Sequence, residues 1–249
     1  MRPGDLIQDM SAGGLKYVRI LTGSISQSEA EELKKKYDYI HIYSYQNADL
    51  PGFKKSMQHT ALIDLTKNPE SIFSRFNDTA KKHIRRAERN PNLKLVPPDP
   101  DFKASYALYH KIKSEEGAKP DIEEDFKNCL FFNAYLNGNL IVTASFYDNG
   151  EYIRAKHIAS LRKTMGEEAK IVAQATRALN WELCKWGAQL GRKFFDLAGL
   201  NLEDPAKKGI VEFKRSFGGD ETDMYILRYE TPEFSQLKKK LNEEGKNIN

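Results

Sequence analysis

The chain has 249 residues, 40% of them hydrophobic and 11% aromatic, which is enough to fill a core and too much for a peptide module or a generally disordered segment. Its 39 Lys and Arg against 35 Asp and Glu leave a net charge of +4, and no apolar run approaches the ~20 residues that a spanning helix needs. Cys129 and Cys184 suit neither a disulfide framework nor a zinc site, and the five histidines show no metal spacing, so reduced core thiols and no metal are expected.

Residues 1–9 contain no long apolar stretch, so neither a secretory signal nor a membrane anchor is expected, and the expected location is cytoplasmic. Residues 15–21 read as a strand. Ser26 followed by Glu29 is a capping box that opens a helix running to about Tyr37. The alternation at 39–43 and the run at 61–65 read as two further strands. Asn68 is an N-cap with Pro69 at the first helical position. Phe73, Phe76, Ala80, Ile84 and Ala87 then recur at helical spacing, which predicts one long amphipathic helix ending near Asn90. Its other face stacks Lys82, Arg85, Arg86 and Arg89 on one stripe, with Lys81 and His83 at the edge. Like charges so placed repel, so the stripe is either a solvated face or the footprint of an anionic partner.

A short strand at 93–96, a helix over 102–116 closed by Gly117, and a further helix starting at Pro120 towards Cys129 follow. The period then changes. Residues 132–136, 140–147 and 151–158 form three strands joined by Asn137-Gly138 and Asp148-Asn149-Gly150, an antiparallel meander. A loop with Arg162, Lys163 and Gly166 leads into a helix with Val172, Leu179, Leu183 and Trp186 on its apolar side. After it come a strand at 193–197, a short helix at 210–217 stopped by Gly218-Gly219, and a last strand at 225–229. The polar residues after Pro232 read as a frayed helix. The chain thus divides into an αβ segment over 1–66, a main domain over 67–230 and a polar tail over 231–249. The order from Phe132 onward suits an α+β sheet with a cleft where neighbouring strands diverge.

Four stretches stand out in order: the basic helix at 81–87, the strand ending in Ile158-Ala159-Ser160, the strand end Asp196-Leu197-Ala198-Gly199, and the element Phe213-Lys214-Arg215-Ser216-Phe217-Gly218-Gly219. Over roughly 72–229 they resemble the Fem-type (FemABX-like) transferases and the related single-domain acyltransferases of the GNAT superfamily. The resemblance implies a GNAT-like α+β (three-layer α/β) fold, with a mixed, mostly antiparallel sheet flanked by helices. It implies acyl or aminoacyl transfer onto an amine. The donor would be a co-substrate, aminoacyl-tRNA or acyl-CoA, with no tightly bound cofactor. The acceptor would be an amine-bearing sugar or peptide precursor of the cell envelope, peptidoglycan or surface polysaccharide, reached without an integral membrane segment and at most by peripheral membrane contact. By the same implication Lys214 is the family's functional lysine with Phe213 beside it, and Arg85 and Arg86 form the basic helix face. Lys82, Ser160 and Arg162 complete the expected substrate-binding set. Two features depart from the family. The bridge-forming members carry two copies of the domain, and this chain has room for about one. The loop Arg162-Lys163-Thr164-Met165-Gly166-Glu167-Glu168 lacks the R/Q-x-x-G-x-G/A pattern that wraps a pyrophosphate, and its acids disfavour an anion at the following helix.

The chemistry follows independently. Aminolysis of an ester or thioester needs two substrates held together and a developing oxyanion stabilised, a role open to the Lys214 cation. The incoming ammonium must lose a proton, to Asp196 at its strand end or to His157. Read without the resemblance, Lys214 is an exposed helix lysine, Asp196 equally caps or braces its loop or acts as a base, and His157 is a structural histidine. Two other functions remain open at this level: a non-catalytic module that binds RNA or another polyanion through the basic stripe, and a scaffold that kept the fold without the site.

Overall fold

A computed structural model describes residues 6–245. The chain start and the last residues of the polar tail lie outside them. The strands are β1 (Leu6–Ala12), β2 (Leu15–Thr22), β3 (Tyr39–Ser44), β4 (Lys54–Asp64), β5 (Leu93–Val96), β6 (Leu130–Leu136), β7 (Asn139–Asp148), β8 (Tyr152–Ser160), β9 (Phe194–Asp196) and β10 (Asp220–Glu230). The helices are α1 (Gln27–Lys34), α2 (Pro69–Ser74), α3 (Asp78–Glu88), α4 (Phe102–Glu115), α5 (Ala169–Gln189), α6 (Lys208–Arg215) and α7 (Pro232–Glu243).

All ten strands join one sheet in the order β1-β2-β3-β10-β4-β9-β8-β7-β6-β5. Only β2 with β3 and β8 with β9 run parallel among the described residues, so the sheet is mixed and mostly antiparallel, as expected. On one face α2, α3 and α5 cover a core built from Ile63, Phe132, Phe146, Ile153 and Phe195, while α1 covers Ile20, Ile40 and Ile42. Burying each such side chain contributes about 1.5–3 kcal/mol. The other face is covered by α4, by a short 3-10 turn at Glu123–Phe126 and by α7.

Four local expectations change. The single helix after Asn68 is two, because Asn77 starts a second one by accepting from the backbone N–H of Ala80 at 2.8 Å. The apolar spacing survives the break since Phe73 and Phe76 both rest on Trp181 of α5. The helix expected after Pro120 is only the 3-10 turn. β10 is eleven residues long, reaching back through Asp220 because its ladder to β4 continues there, Asp220 facing Leu62. β10 also pairs with β3, so the opening segment and the main domain share one sheet. β1 carries polar residues and no apolar alternation, and is held by pairing with β2 and by Gln8, whose amide reaches the Asp125 carbonyl at 2.6 Å.

The segment expected as a polar tail is α7, capped by Thr231. Its Phe234 is fully buried and stacked on Tyr39 with centroids 4.8 Å apart, and Leu237 and Leu241 continue the stripe. Phe234→Ala should therefore cost about 3–5 kcal/mol in urea unfolding, the range for a core aromatic, whereas a frayed tail would lose under about 0.5 kcal/mol.

Candidate active site

β8 and β9 are paired only from Tyr152 to Arg154 against Phe194 to Asp196. β8 then runs on to Ser160, while the chain leaves β9 through Leu197, Ala198 and Gly199. The strands part, and the gap is a cavity of about 520 Å³ walled by β8, α5, α6 and the loop after β9.

Next to the lining residues Ala155 and Leu197 lies an ion pair between Arg154 and Asp196, which are themselves the last cross-strand partners. Asp196 is fully buried. Its Oδ1 accepts from the Thr60 hydroxyl and, at 2.8 Å, from the Ala198 N–H; its Oδ2 accepts from Arg154 and, at 2.8 Å, from the Tyr45 hydroxyl. A carboxylate offers about four lone-pair positions, and all are taken. The Arg154 guanidinium lies over the Tyr43 ring at 4.4 Å, and although burial works against its charge, Asp196 outweighs it and holds the cation.

Lys214 projects from α6 into the cavity and donates to the Gly199 carbonyl at 2.6 Å. Burial lowers its ammonium to about 8, the Arg154 charge adds to this and Asp196 opposes it. Two glycines fix this geometry. At Gly199 the Gln58 amide already occupies the place of a side chain, a Cβ falling 1.8 Å from its Nε2. At Gly218, with φ +63°, a Cβ would meet the Arg75 carbonyl oxygen at 2.2 Å, so the turn that ends α6 admits glycine alone.

Opposite, β8 carries a bulge. Ser145 faces His157 and Phe146 faces Ala155, so Lys156 is an extra residue. Lys156 and His157 consequently share one side of the sheet, both reaching Asp121. The Lys156 ammonium is buried and donates to the Tyr147 hydroxyl at 2.9 Å, with Asp121 at 3.4 Å and Asp125 at 3.9 Å. Burial disfavours its charge, but Tyr147, Asp125 and Asp121 outweigh that and push the ammonium up. Asp125 is in turn gripped by Arg19 at 3.0 and 3.1 Å. The His157 ring rests on Tyr109 at 4.7 Å, and its Nε2 bonds to Asp121 Oδ2 at 2.8 Å. Burial lowers the His157 imidazole against the pull of Asp121, which favours the neutral ring. For Asp121 burial is outweighed by the His157 bond and the Lys156 charge, which hold the carboxyl well below the carboxylate range. A neutral ring that donates from Nε2 to the Asp121 carboxylate keeps its lone pair on Nδ1, and His157 lines the cavity.

Of the residues expected at the site, Ser160, Arg162, Phe213 and Lys214 line this one cavity. Asp196 lies beneath it, in the bracing position that the residue taken alone suggested. Lys82, Arg85 and Arg86 are exposed on α3, beside the cavity and outside its lining. Sequence reasoning missed Arg154, the Asp121 partner of His157, and Arg177 of α5. A signal for the bulge was present: Arg154-Ala155-Lys156-His157 alternates and then puts two polar residues together. Cys184 is buried as read, while Cys129 is half-buried, and both are free thiols.

No family model and no curated protein matches the chain. Solved structures do. FemX superposes with a TM-score of 0.60 at 12% identity, over 92% of this chain and 85% of that one. The C-terminal domain of a protein described as a lysylphosphatidylglycerol synthetase from Agrobacterium fabrum gives 0.55 at 11% identity, over 96% and 90%. L-PGS from Bacillus licheniformis gives 0.54 at 13%, over 93% and 83%. The chain therefore has a FemABX-like, mixed α+β fold.

If Asp196 is the brace described, Asp196→Ala strands a buried guanidinium and should cost about 3–5 kcal/mol in urea unfolding; a loss under about 1 kcal/mol would contradict it.

Proposed function

We propose that this chain is a transferase that moves an acyl or aminoacyl group from an ester or thioester onto an amine. The observation that carries the reading is Lys214: a cation facing the cavity, hydrogen-bonded to a backbone carbonyl and ion-paired to no carboxylate among the described residues. Such a group is free to meet a developing oxyanion. The FemABX-like fold supports the same reading.

In the proposed reaction the acceptor amine attacks the carbonyl carbon, and the carbonyl oxygen takes the negative charge beside the Lys214 ammonium. His157 removes the amine proton at Nδ1, its other nitrogen held by Asp121. The C–O or C–S bond to the donor breaks, and the leaving oxygen or sulfur receives the proton from His157. Asp196 positions the loop that carries Gly199 and takes no proton. Phe213, Ser160 and Arg162 line the donor's path, and Lys82, Arg85 and Arg86 attract an anionic donor from outside.

Aminoacyl-tRNA or acyl-CoA is the donor class, with an amine-bearing sugar or peptide of an envelope precursor as acceptor and the cytoplasm as the place of reaction. No helix among the described residues is long and apolar enough to cross a membrane. The exposed stripe of Lys82, Arg85, Arg86 and Arg89 also favours a second reading, a polyanion-binding module without catalysis, for which salt-sensitive binding without turnover would decide.

A screen of acyl-CoAs and charged tRNAs against amine acceptors provides the assay. Lys214→Met should lower the rate about 10²–10³-fold while leaving the unfolding transition in place. The pH profile should be a bell: the rate falls below the ordinary histidine range as His157 gains a proton, and falls again above about 8 as Lys214 loses its own. Lys214→Arg should remove the alkaline limb; a limb that persists in that variant takes Lys214 out of the mechanism.

A further inference from the structure

The mouth of the cleft carries cations that the transfer step does not use. Arg177 reaches from α5 over the Phe213 ring, 5.0 Å from its centroid. Its Nη1 donates towards Nδ1 of His83 on α3 at 3.4 Å. Its Nε is buried with no hydrogen-bond partner. Arg162, in the loop after β8, lies within electrostatic reach of both Arg177 and His83, and Arg86 and Lys82 add to the field on His83. Burial and then these cations disfavour charge on His83, and burial and then Arg162 disfavour it on Arg177. Carboxylates pair with the deeper cations Arg19, Arg154 and Lys156, whereas among the described residues none forms an ion pair with Arg177, Arg162 or His83.

Clustered like charges are unfavourable, and an anion set against them relieves the repulsion. A guanidinium presents its donors as a planar fork that matches two phosphate oxygens. The nearby start of α5, the other place where an anion could sit, is guarded by Glu167 and Glu168. We propose that Arg177, Arg162 and His83 form a phosphate subsite at the mouth of the cleft, which holds a phosphate of the donor while its reactive carbonyl reaches inward to Lys214. The word donor rests on the transferase reading; the phosphate subsite does not. The shared chemistry is a phosphate ester, supplied by a polynucleotide end or by the pyrophosphate of a CoA.

The test uses the full chain and unreactive probes: labelled uncharged tRNA, free CoA and inorganic pyrophosphate, each titrated over a range of salt. Arg177→Gln and Arg162→Gln should each weaken at least one probe about tenfold and lower the salt slope by about one, while Lys239→Gln, an exposed charge on α7, changes binding less than about twofold. Arg162 is exposed, so its variant keeps the test open if Arg177→Gln unfolds. A loss confined to tRNA identifies a polynucleotide end, and a loss confined to CoA and pyrophosphate identifies a thioester donor; either supports the subsite. Wild-type affinity in both arginine variants, an equal loss in Lys239→Gln, or no binding of any probe overturns it. Transfer activity with an unaltered donor KM in Arg177→Gln would sink the subsite and leave the transferase reading standing. Arginine-dependent binding without any turnover would do the reverse.

Discussion

The buried pair of Arg154 and Asp196 is the constraint on which the cleft depends. The two side chains close the last rung of a parallel ladder three residues long, and beyond that rung the strands separate. Two charges in a protein interior lose more hydration than their attraction returns unless their remaining hydrogen-bonding positions are filled. Here they are filled from the opening part of the chain: Tyr45 follows β3, Thr60 belongs to β4, and Tyr43 lies under the guanidinium. The first sixty-odd residues are thus part of the site's foundation, although no cavity-lining side chain comes from them.

The same burial sets the chemistry. Lys214 and His157 are both made less basic, yet their ordinary values lie about four units apart, so burial moves the window between them without closing it. Within that window Lys214 is a cation and His157 is unprotonated, the two states that the proposed aminolysis asks for. Lys156 next door shows what compensation does to a lysine at similar depth: with Asp121, Asp125 and Tyr147 around it, its ammonium is pushed up and stays charged. The difference between Lys156 and Lys214 is the company of Tyr147, Asp125 and Asp121 around the first and of the Arg154 cation near the second.

Much of the fold was legible because apolar alternation and caps are local. The meander at β6–β8, the capping box of α1 and the apolar stripe of α5 need only neighbouring residues to be recognised. The polar half of β10 and the burial of Phe234 depend on a ladder and a ring contributed from far away in the sequence, which no local pattern reveals, whereas β1 pairs with its neighbour β2 and lacks only an apolar alternation. The site divides in the same way. Lys214, Phe213, Ser160 and Arg162 were found through short motifs and do share one cavity. Asp196 was noticed as a loop brace or a base, and only its saturated hydrogen bonds favour the brace. Asp121 meets His157 across 36 positions, and Arg177 meets His83 across 94, so their roles come from the fold alone.

The most direct measurement is an NMR titration of the lysine side chains in the wild-type chain and in Lys214→Arg. One ammonium should titrate near 8, well below the ~10.4 of an ordinary lysine, and its signal should be missing from the variant. If Lys214 instead titrates with the exposed lysines, it is neither desolvated nor bare of compensation, and the account of the cleft is wrong.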